Sequence, residues 1–432
     1  MRRKNRRPNW LKILGLLIVI AFLVYINQAI EPLSPFLFLP PPTPTIPPED
    51  FIAEAESLAS EGKYSLALQT YEKAIMADPQ DPSIYTAAAR LNVYSGIYEK
   101  AIDQASNALL LNPENSQAEA LKGIAYGFLG EYLEAESALN RAIKLDPSNA
   151  FAYAYLSIVY SQKILLGEDV LGELDGAIEA SRKAEAIAPG SLETKWARGM
   201  VLEITGNYED AVLEYEAAIN QNSNIAKLHL ALGRNYRFLQ QYDRAIEEFT
   251  KANALNPTDP DPDTYISRTY ASVGEFAKAI QYAEQAVADV PDDPYLYGNL
   301  GVMYKQNYQL EQAINALKIA IKGGLTPEGA SVEGLPLAYG RVVEYYYNYG
   351  LALMELSYCS EAVNIAQAIL QSMQNDEIAV YNANVILDRC YKILNDFQLS
   401  KLPTPTMIPT WTPQPSPTPQ PSATPEPTKT GQ

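Results

Sequence analysis

Histidine is nearly absent from this 432-residue chain, which contains only one, His229. A single histidine gives little support for a Ser-His-Asp triad and none for a cluster of histidine metal ligands. The sequence also lacks the glycine-rich loop that cradles nucleotide phosphates. We therefore expect no enzymatic activity, no cofactor and no metal, and we assign His229 to the packed interior of a helix pair.

Basic residues are scarce beyond residue 30, where 27 Lys and Arg stand against 51 Asp and Glu. This part of the chain carries a formal charge of −24. Such a charge repels nucleic acid and anionic lipid headgroups rather than attracting them. We therefore expect no nucleic-acid partner.

Acidic residues are missing from the first 30 positions, whereas six Lys and Arg lie within the first 12. Residues 13–26 form an unbroken apolar run, which with its flanks approaches the ~20 residues that a membrane-spanning helix needs. The pattern predicts a basic cytosolic tail over residues 1–10 and a single-pass signal anchor in the cell membrane over residues 11–30. The positive-inside rule then places the remainder outside the cytoplasm. A cleavable signal peptide has the same charged and apolar regions and is the alternative.

Two proline-rich segments flank the central part of the chain. Residues 31–47 predict an extended stalk, because proline is excluded from helix interiors and favours polyproline II. Residues 397–432 are rich in proline and threonine and contain too little apolar surface for a core. They predict a disordered tail.

Between these segments the sequence repeats every 34 residues over residues 48–376. The segments begin at residues 48, 82, 116, 150, 192, 226, 260, 294 and 343, with insertions in the fourth segment and before the ninth. Position 8 is always Gly, Ala or Ser, and small residues at positions 8 and 20 let two helix axes approach closely. Position 20 is alanine throughout: Ala67, Ala101, Ala135, Ala177, Ala211, Ala245, Ala279, Ala313 and Ala362.

Turn and stop signals divide each segment into two helices. Glycine at position 15 in five segments marks the turn, and proline at position 32 in six segments ends the second helix. A hairpin of this length cannot bury its apolar faces alone, so neighbouring hairpins must stack. Residues 377–396 predict one further helix that closes the stack.

These segments resemble the tetratricopeptide repeat family. Residues 130–147 (GEYLEAESALNRAIKLDP) and 206–219 (GNYEDAVLEYEAAI) are similar to its pattern, and the resemblance covers most of the chain. It implies an all-α fold, a right-handed α-solenoid of about nine hairpins over residues 48–396 that follows one transmembrane helix. The family shares a scaffold rather than an activity, so the resemblance implies protein binding and does not name the partner.

In this family the first helix of each repeat lines an inner groove, and positions 2, 5, 9 and 12 face it. Transferred to this chain, these positions predict ligand contacts that suit an extended protein segment or peptide bearing carboxylates. Alternatively, the cations neutralise Asp and Glu side chains on neighbouring repeats. The candidates are Arg90, Trp196, Lys227, Arg234, Arg237, Arg268, Tyr295 and Lys305.

The chain has two cysteines, Cys359 at the start of the ninth segment's second helix and Cys390 late in the closing helix. Because successive helices run antiparallel, the start of one lies beside the end of the next. A disulfide between them is therefore a candidate in an oxidising compartment. Alternatively, both are buried small apolar residues.

Both insertions are candidates for special contacts. The second covers residues 328–342, and the first lies around residues 164–176 and adds the apolar residues Leu165, Leu166, Val170 and Leu171. The whole sequence predicts a membrane-anchored, extracytoplasmic scaffold that binds protein in its groove. The alternatives are a self-associating structural spacer of the cell envelope, which would be a homo-oligomer, and an envelope enzyme with a site in the insertions.

Overall fold

The computed structural model describes residues 10–29, 47–167, 172–326 and 329–396. Over these residues the chain forms twenty α-helices and two short β-strands. Helix α1 (Trp10–Ala29) precedes nine helical hairpins, and α20 (Glu377–Asp396) follows them. The hairpins are α2 (Pro48–Ser60) with α3 (Tyr64–Ala77), α4 (Pro82–Tyr94) with α5 (Tyr98–Leu111), α6 (Ser116–Phe128) with α7 (Tyr132–Leu145), α8 (Ala150–Leu165) with α9 (Glu173–Ile187), α10 (Leu192–Ile204) with α11 (Tyr208–Gln221), α12 (Ala226–Phe238) with α13 (Tyr242–Leu255), α14 (Asp261–Ser272) with α15 (Phe276–Asp289), α16 (Pro294–Gln306) with α17 (Leu310–Lys322), and α18 (Arg341–Glu355) with α19 (Cys359–Ser372).

The predicted all-helical repeat fold is confirmed. A short two-stranded antiparallel hairpin, β1 (Gly324–Leu325) and β2 (Ser331–Val332), leads from the eighth repeat into the second insertion. Helices α14 and α18 begin one residue after and two residues before the starts predicted from the repeat. Most of the predicted basic tail, the predicted stalk up to residue 46 and the predicted tail 397–432 lie outside the described residues.

Helix α1 is 20 residues long, and its described side chains from Leu14 to Tyr25 are exposed. Over the described part of the chain, no helix meets the combined length and hydropathy required of a membrane span. The predicted membrane span therefore stays a prediction.

The turn inside each hairpin requires one residue in the left-handed region. Six hairpins place glycine there, for example Gly130 with φ of 81° and, in the longer turn of the fourth hairpin, Gly167 with φ of 80°. The sixth, eighth and ninth place Gln240, Tyr308 and Ser357 at the same position, with φ between 59° and 64°. A side chain in this region costs about 1–2 kcal/mol per residue. These three residues keep the left-handed conformation in spite of that cost. The packing of the two helices therefore outweighs the backbone preference of the residue in the turn.

Packing within a hairpin pairs a small residue on the first helix with a large one on the second. A Cβ atom added to Gly199 would lie 2.7 Å from the ring of Tyr215, and one added to Gly233 would lie 2.5 Å from Phe249. Both pairs join positions 8 and 24 of their segments. The close approach of the two helices therefore depends on the absence of a side chain at position 8.

The two insertions differ in how they pack. The first extends α8 to Leu165 and leaves Leu166 70% exposed, while Val170 and Leu171 lie outside the described residues. The second buries Leu335, whose backbone N–H donates to Ala320 O at 2.9 Å. The Tyr346 hydroxyl of α18 donates to the carbonyl of Leu335 at 2.8 Å. The second insertion therefore fixes how α18 docks on the eighth repeat.

The first six repeats wind tightly enough that residues up to four repeats apart touch. The Tyr64 hydroxyl of the first repeat donates to Asn222 Oδ1, at the end of the fifth, at 2.7 Å. The ring of Phe128 in the third repeat stacks on Trp196 of the fifth, with centroids 5.7 Å apart. The concave face of this part of the solenoid is therefore partly closed by the protein itself.

Candidate functional site

The concave face is formed by the first helices of the repeats, and the predicted groove residues lie on α4, α10, α12, α14 and α16. One of them offers no surface to a ligand. Trp196 is 2% exposed and belongs to the apolar core that runs through the second to seventh repeats. We therefore leave Trp196 out of the candidate site.

Two of the predicted cations are already paired within the protein. The Lys227 ammonium lies 2.7 Å from a carboxylate oxygen of Asp259 and 3.4 Å from one of Asp261. Arg234 forms a two-pronged ion pair with Glu203, with Nε–Oε1 of 2.7 Å and Nη2–Oε2 of 3.0 Å. Lys227 and Arg234 therefore fit the alternative in which the cations neutralise acidic side chains on neighbouring repeats.

The pKa shifts of these two residues agree with the pairing. Burial acts to lower the pKa of Lys227, but Asp261, Tyr98 and Asp259 raise it above its ordinary range. Burial likewise acts to lower the pKa of Arg234, and the adjacent Glu203 carboxylate raises it. Both cations are therefore held charged by acids that the protein supplies.

Three other predicted cations have no acid partner. Among the described residues, no carboxylate lies within 4.0 Å of Arg237, Arg268 or Lys305. Arg237 Nε is buried without a hydrogen-bond acceptor. Arg268 Nε donates to Asn299 Oδ1 at 2.9 Å, which orients the guanidinium and leaves its two terminal nitrogens for a ligand.

The pKa shifts of Arg237 and Lys305 run in the opposite direction. Burial lowers the pKa of the Arg237 guanidinium, and the charges of Arg268 and Arg341 lower it further. Burial also lowers the pKa of Lys305, against the opposing effect of Glu355. A desolvated cation among other cations is stabilised by an added anion.

Arg341 belongs with this group, although the sequence analysis did not identify it. It lies at the first position of α18, two residues before the start of the ninth repeat, where the repeat register assigns it to the insertion. Among the residues that the structure describes, its guanidinium is paired only with the nearby Glu344, at 3.0 Å on an exposed part of the helix. The position of Arg341 near Arg237 and Arg268 follows from how the insertion docks α18.

An aromatic residue borders these cations. Tyr295 is 48% exposed at the start of α16, and its carbonyl accepts a hydrogen bond from the Tyr345 hydroxyl at 3.2 Å. Arg268 and Arg341 both act electrostatically on Tyr345, so the tyrosine that contacts Tyr295 is also near both cations. We name the set Arg237, Arg268, Tyr295, Lys305 and Arg341 the basic surface.

Arg90 is separate from the basic surface. It lies on α4, with its guanidinium carbon 5.1 Å from the ring centroid of Phe151. Its Nε is buried without an acceptor. Arg90 therefore belongs to the N-terminal half of the concave face, where the superhelix closes on itself.

The side chains of His229 and of the two cysteines are engaged in contacts within the fold. His229 is 5% exposed, and its ring nitrogens contact Glu248 Oε2 at 2.6 Å and Ser223 O at 3.0 Å. Cys359 and Cys390 form a disulfide across α19 and α20, with Cα atoms 5.3 Å apart. All three residues are therefore satisfied by the fold.

The comparisons with known proteins agree on the repeat type. Three family models, each described as tetratricopeptide repeat, match residues 239–298, then 86–150, 120–192 and 197–260, and finally 53–81. Together they cover more than half of the chain. No curated protein matches the chain.

Solved structures also show similarity, at low identity. One comes from a functional characterisation of Pseudomonas aeruginosa pilF, with 21% identity, 47% of this chain and 88% of that chain covered, and a TM-score of 0.37. Another is a tetratricopeptide repeat protein from Parabacteroides merdae, with 15% identity, 59% and 98% covered, and a TM-score of 0.38. At these TM-scores neither similarity bears on function.

Proposed function

Because the chain belongs to the tetratricopeptide repeat family, we propose that it is a membrane-anchored, extracytoplasmic scaffold that binds an extended acidic segment of a partner protein. The segment lies on the basic surface of the sixth to ninth repeats. The observation that carries the proposal is the set of concave cations without acid partners, Arg237, Arg268 and Lys305, in a protein whose net charge is −18.

The contrast among the concave cations supports a ligand site. Acids are abundant in this chain, and they pair Lys227 and Arg234 on the same helix, α12, that carries Arg237. An unpaired, half-buried guanidinium lowers stability unless an anion compensates it. A protein with 51 acidic residues has ample means to neutralise Arg237, so its unpaired state favours a role in binding.

The chemistry of the basic surface selects carboxylates in an extended chain. Guanidinium groups bind carboxylates through two parallel hydrogen bonds. The cations lie on four successive first helices, α12, α14, α16 and α18, so an extended segment crossing these helices meets one after another. The exposed ring of Tyr295 offers an apolar contact beside them.

Charge reversal on the basic surface is expected to abolish binding. We expect the double variant Arg237→Glu/Arg268→Glu to lose affinity by roughly tenfold or more for a fluorescent (Glu-Ser-Gly)4 peptide, because two attractive contacts become repulsive. Fluorescence anisotropy in low salt measures the affinity. A second peptide, (Gln-Ser-Gly)4, replaces each glutamate with glutamine and reports binding that does not depend on side-chain carboxylates.

A matched control separates local charge from net charge. Lys183→Glu/Lys278→Glu changes the net charge by the same amount at exposed sites on the second helices α9 and α15. It should leave peptide affinity within about twofold of the parent protein. Equal loss in both double variants, or no preference for the glutamate peptide in the parent protein, would contradict the proposal.

The proposed location follows from the charge asymmetry at the N-terminus. Six basic residues precede the apolar segment and no acidic residue does so, an arrangement that retains the N-terminus in the cytosol. The Cys359–Cys390 disulfide supports an oxidising compartment for the repeats.

We expect a C-terminal epitope tag to be digested when intact cells are treated with protease. The positive-inside rule places the repeats and everything after them outside. Immunoblotting of the tag measures digestion, with one cytosolic and one external protein as controls. A tag that survives until the cells are lysed would place the repeats in the cytosol and overturn the proposed location.

A further inference from the structure

The first three repeats line a cavity of about 460 Å³ on the concave face. Its volume lies within the range of small-molecule sites, roughly 300–1,000 Å³. Polar and aromatic side chains dominate its walls. They include Glu56, Tyr64, Tyr71, Arg90, Tyr94 and Asn222.

The far wall of the cavity comes from the fifth repeat. Asn222 lies at the end of α11, 158 residues after Tyr64, and accepts the hydrogen bond from the Tyr64 hydroxyl. Next to it the Asn224 side chain packs on Gly62, so closely that a Cβ added to Gly62 would lie 2.7 Å from the amide. The cavity therefore exists because the superhelix closes on itself at this point.

Arg90 presents an uncompensated charge to this cavity. Its Nε is buried and lacks an acceptor, and no carboxylate lies within 4.0 Å of its guanidinium among the described residues. The nearby buried acid is Glu193, which accepts a hydrogen bond from the Tyr94 hydroxyl. Burial raises the pKa of Glu193 in spite of that hydrogen bond and of Arg90, so Glu193 is a poor counter-ion.

The other walls suit a group that combines a carboxylate with an apolar body. The hydroxyls of Tyr71 and Tyr94 lie within electrostatic range of Arg90, and Ala59, Ala87 and Leu91 supply apolar surface. Glu56 lines the cavity and is exposed to solvent. A ligand that combines a carboxylate with an apolar body would place its carboxylate at Arg90 and its body on the aromatic and aliphatic wall.

We propose that this cavity is a second binding site, which takes a carboxylate through Arg90. The carboxylate belongs to a small organic acid with an apolar body. The site is independent of the basic surface, because it lies on the first three repeats and is bordered by Asn222 of the fifth.

The test uses paired probes that differ only in the acid. Phenylacetate and phenylacetamide are titrated into the full-length protein by saturation-transfer NMR, alongside a tetrapeptide ending in phenylalanine with a free or an amidated C-terminus. We expect phenylacetate to bind at least roughly tenfold more tightly than phenylacetamide. Binding of the free peptide without binding of phenylacetate would count as failure of the small-acid proposal.

Variants assign the binding to Arg90. Arg90→Met keeps the aliphatic stem and should remove the preference for acid over amide, whereas Arg237→Met on the basic surface should keep it. Arg90→Lys retains the charge without the planar fork and should bind with intermediate affinity, and Tyr64→Phe should weaken binding by loosening the wall. If Arg90→Met does not fold, Arg90→Lys and Tyr64→Phe test whether binding depends on Arg90 and on the wall of the cavity.

Two results would overturn the proposal. One is equal affinity for acid and amide in the parent protein, including no binding of either. The other is a preference for the acid that survives both Arg90→Met and Arg90→Lys unchanged. Failure here leaves the basic surface untouched, because the acidic peptide assay depends on different residues.

Discussion

Replacing Glu203 with alanine is expected to destabilise the central repeats by about 3–5 kcal/mol. The Glu203 carboxylate is 1% exposed and receives two hydrogen bonds from Arg234, which is itself 15% exposed. The Tyr215 hydroxyl of α11 donates to the same carboxylate at 2.8 Å. Alanine would leave a buried guanidinium and a buried hydroxyl without partners, and the cost is mainly that of desolvating the stranded charge.

A double-mutant cycle isolates this ion pair. Glu203→Ala/Arg234→Met removes both charges and should cost less than the sum of the single variants, because no buried charge is then left unpaired. Glu247→Ala is the matched control, since Glu247 and Lys251 form an exposed pair on α13 at 2.8 Å that should contribute under about 1 kcal/mol.

The measurement must resolve individual repeats, because a solenoid unfolds locally as well as globally. Native-state hydrogen exchange read by mass spectrometry over α10 to α13 provides this resolution. A loss of protection in Glu203→Ala no greater than in Glu247→Ala would show that the buried pair does not stabilise the junction of the fifth and sixth repeats.

Removal of the Cys359–Cys390 disulfide is expected to cost about 3–4 kcal/mol at the C-terminal end of the solenoid. The two cysteines are 31 residues apart and 3% and 0% exposed. The bond restricts the unfolded loop between them. It also fastens α20, the last helix among the described residues, which packs on α18 and α19 and therefore depends more on this bond than an internal helix would.

Hydrogen exchange over α19 and α20, with and without reductant, measures this contribution. The chain has no cysteine other than these two, so a reductant acts on this bond alone. Cys359→Ala/Cys390→Ala should reproduce the reduced protein and should not respond to reductant. Protection of α20 that is unchanged by reduction would show that packing alone holds the last helix.

Several features of the fold could be predicted from the sequence because they depend on neighbours within one repeat. Alanine at position 20 and small residues at position 8 predicted the close helix pairs, and the structure shows Gly199 against Tyr215 and Gly233 against Phe249 at that contact. Glycine at position 15 predicted the turns. The left-handed conformation of Gln240 at the same position follows from packing that the local sequence does not show.

The candidate site was predictable in part. Positions 2, 5, 9 and 12 drew attention to the first helices, but they did not distinguish Arg234, which is paired with Glu203, from Arg237, which has no acid partner among the described residues. The two residues lie three positions apart on α12, and of the two it is Arg234 that reaches the Glu203 carboxylate of α10. Arg341 lies outside the repeat register and could not be found from it.

The sequence by itself determined the repeat, the two helices of each hairpin, the surplus of acid and the cations on the first helices, since each depends on spacing or composition. The tertiary structure alone decided which cations are paired, which side chains are covered and where a cavity remains. The contact of Tyr64 with Asn222 spans four repeats. It depends on the rotation accumulated from one hairpin to the next, which arises from packing between helices and is not encoded in the spacing of residues along the chain.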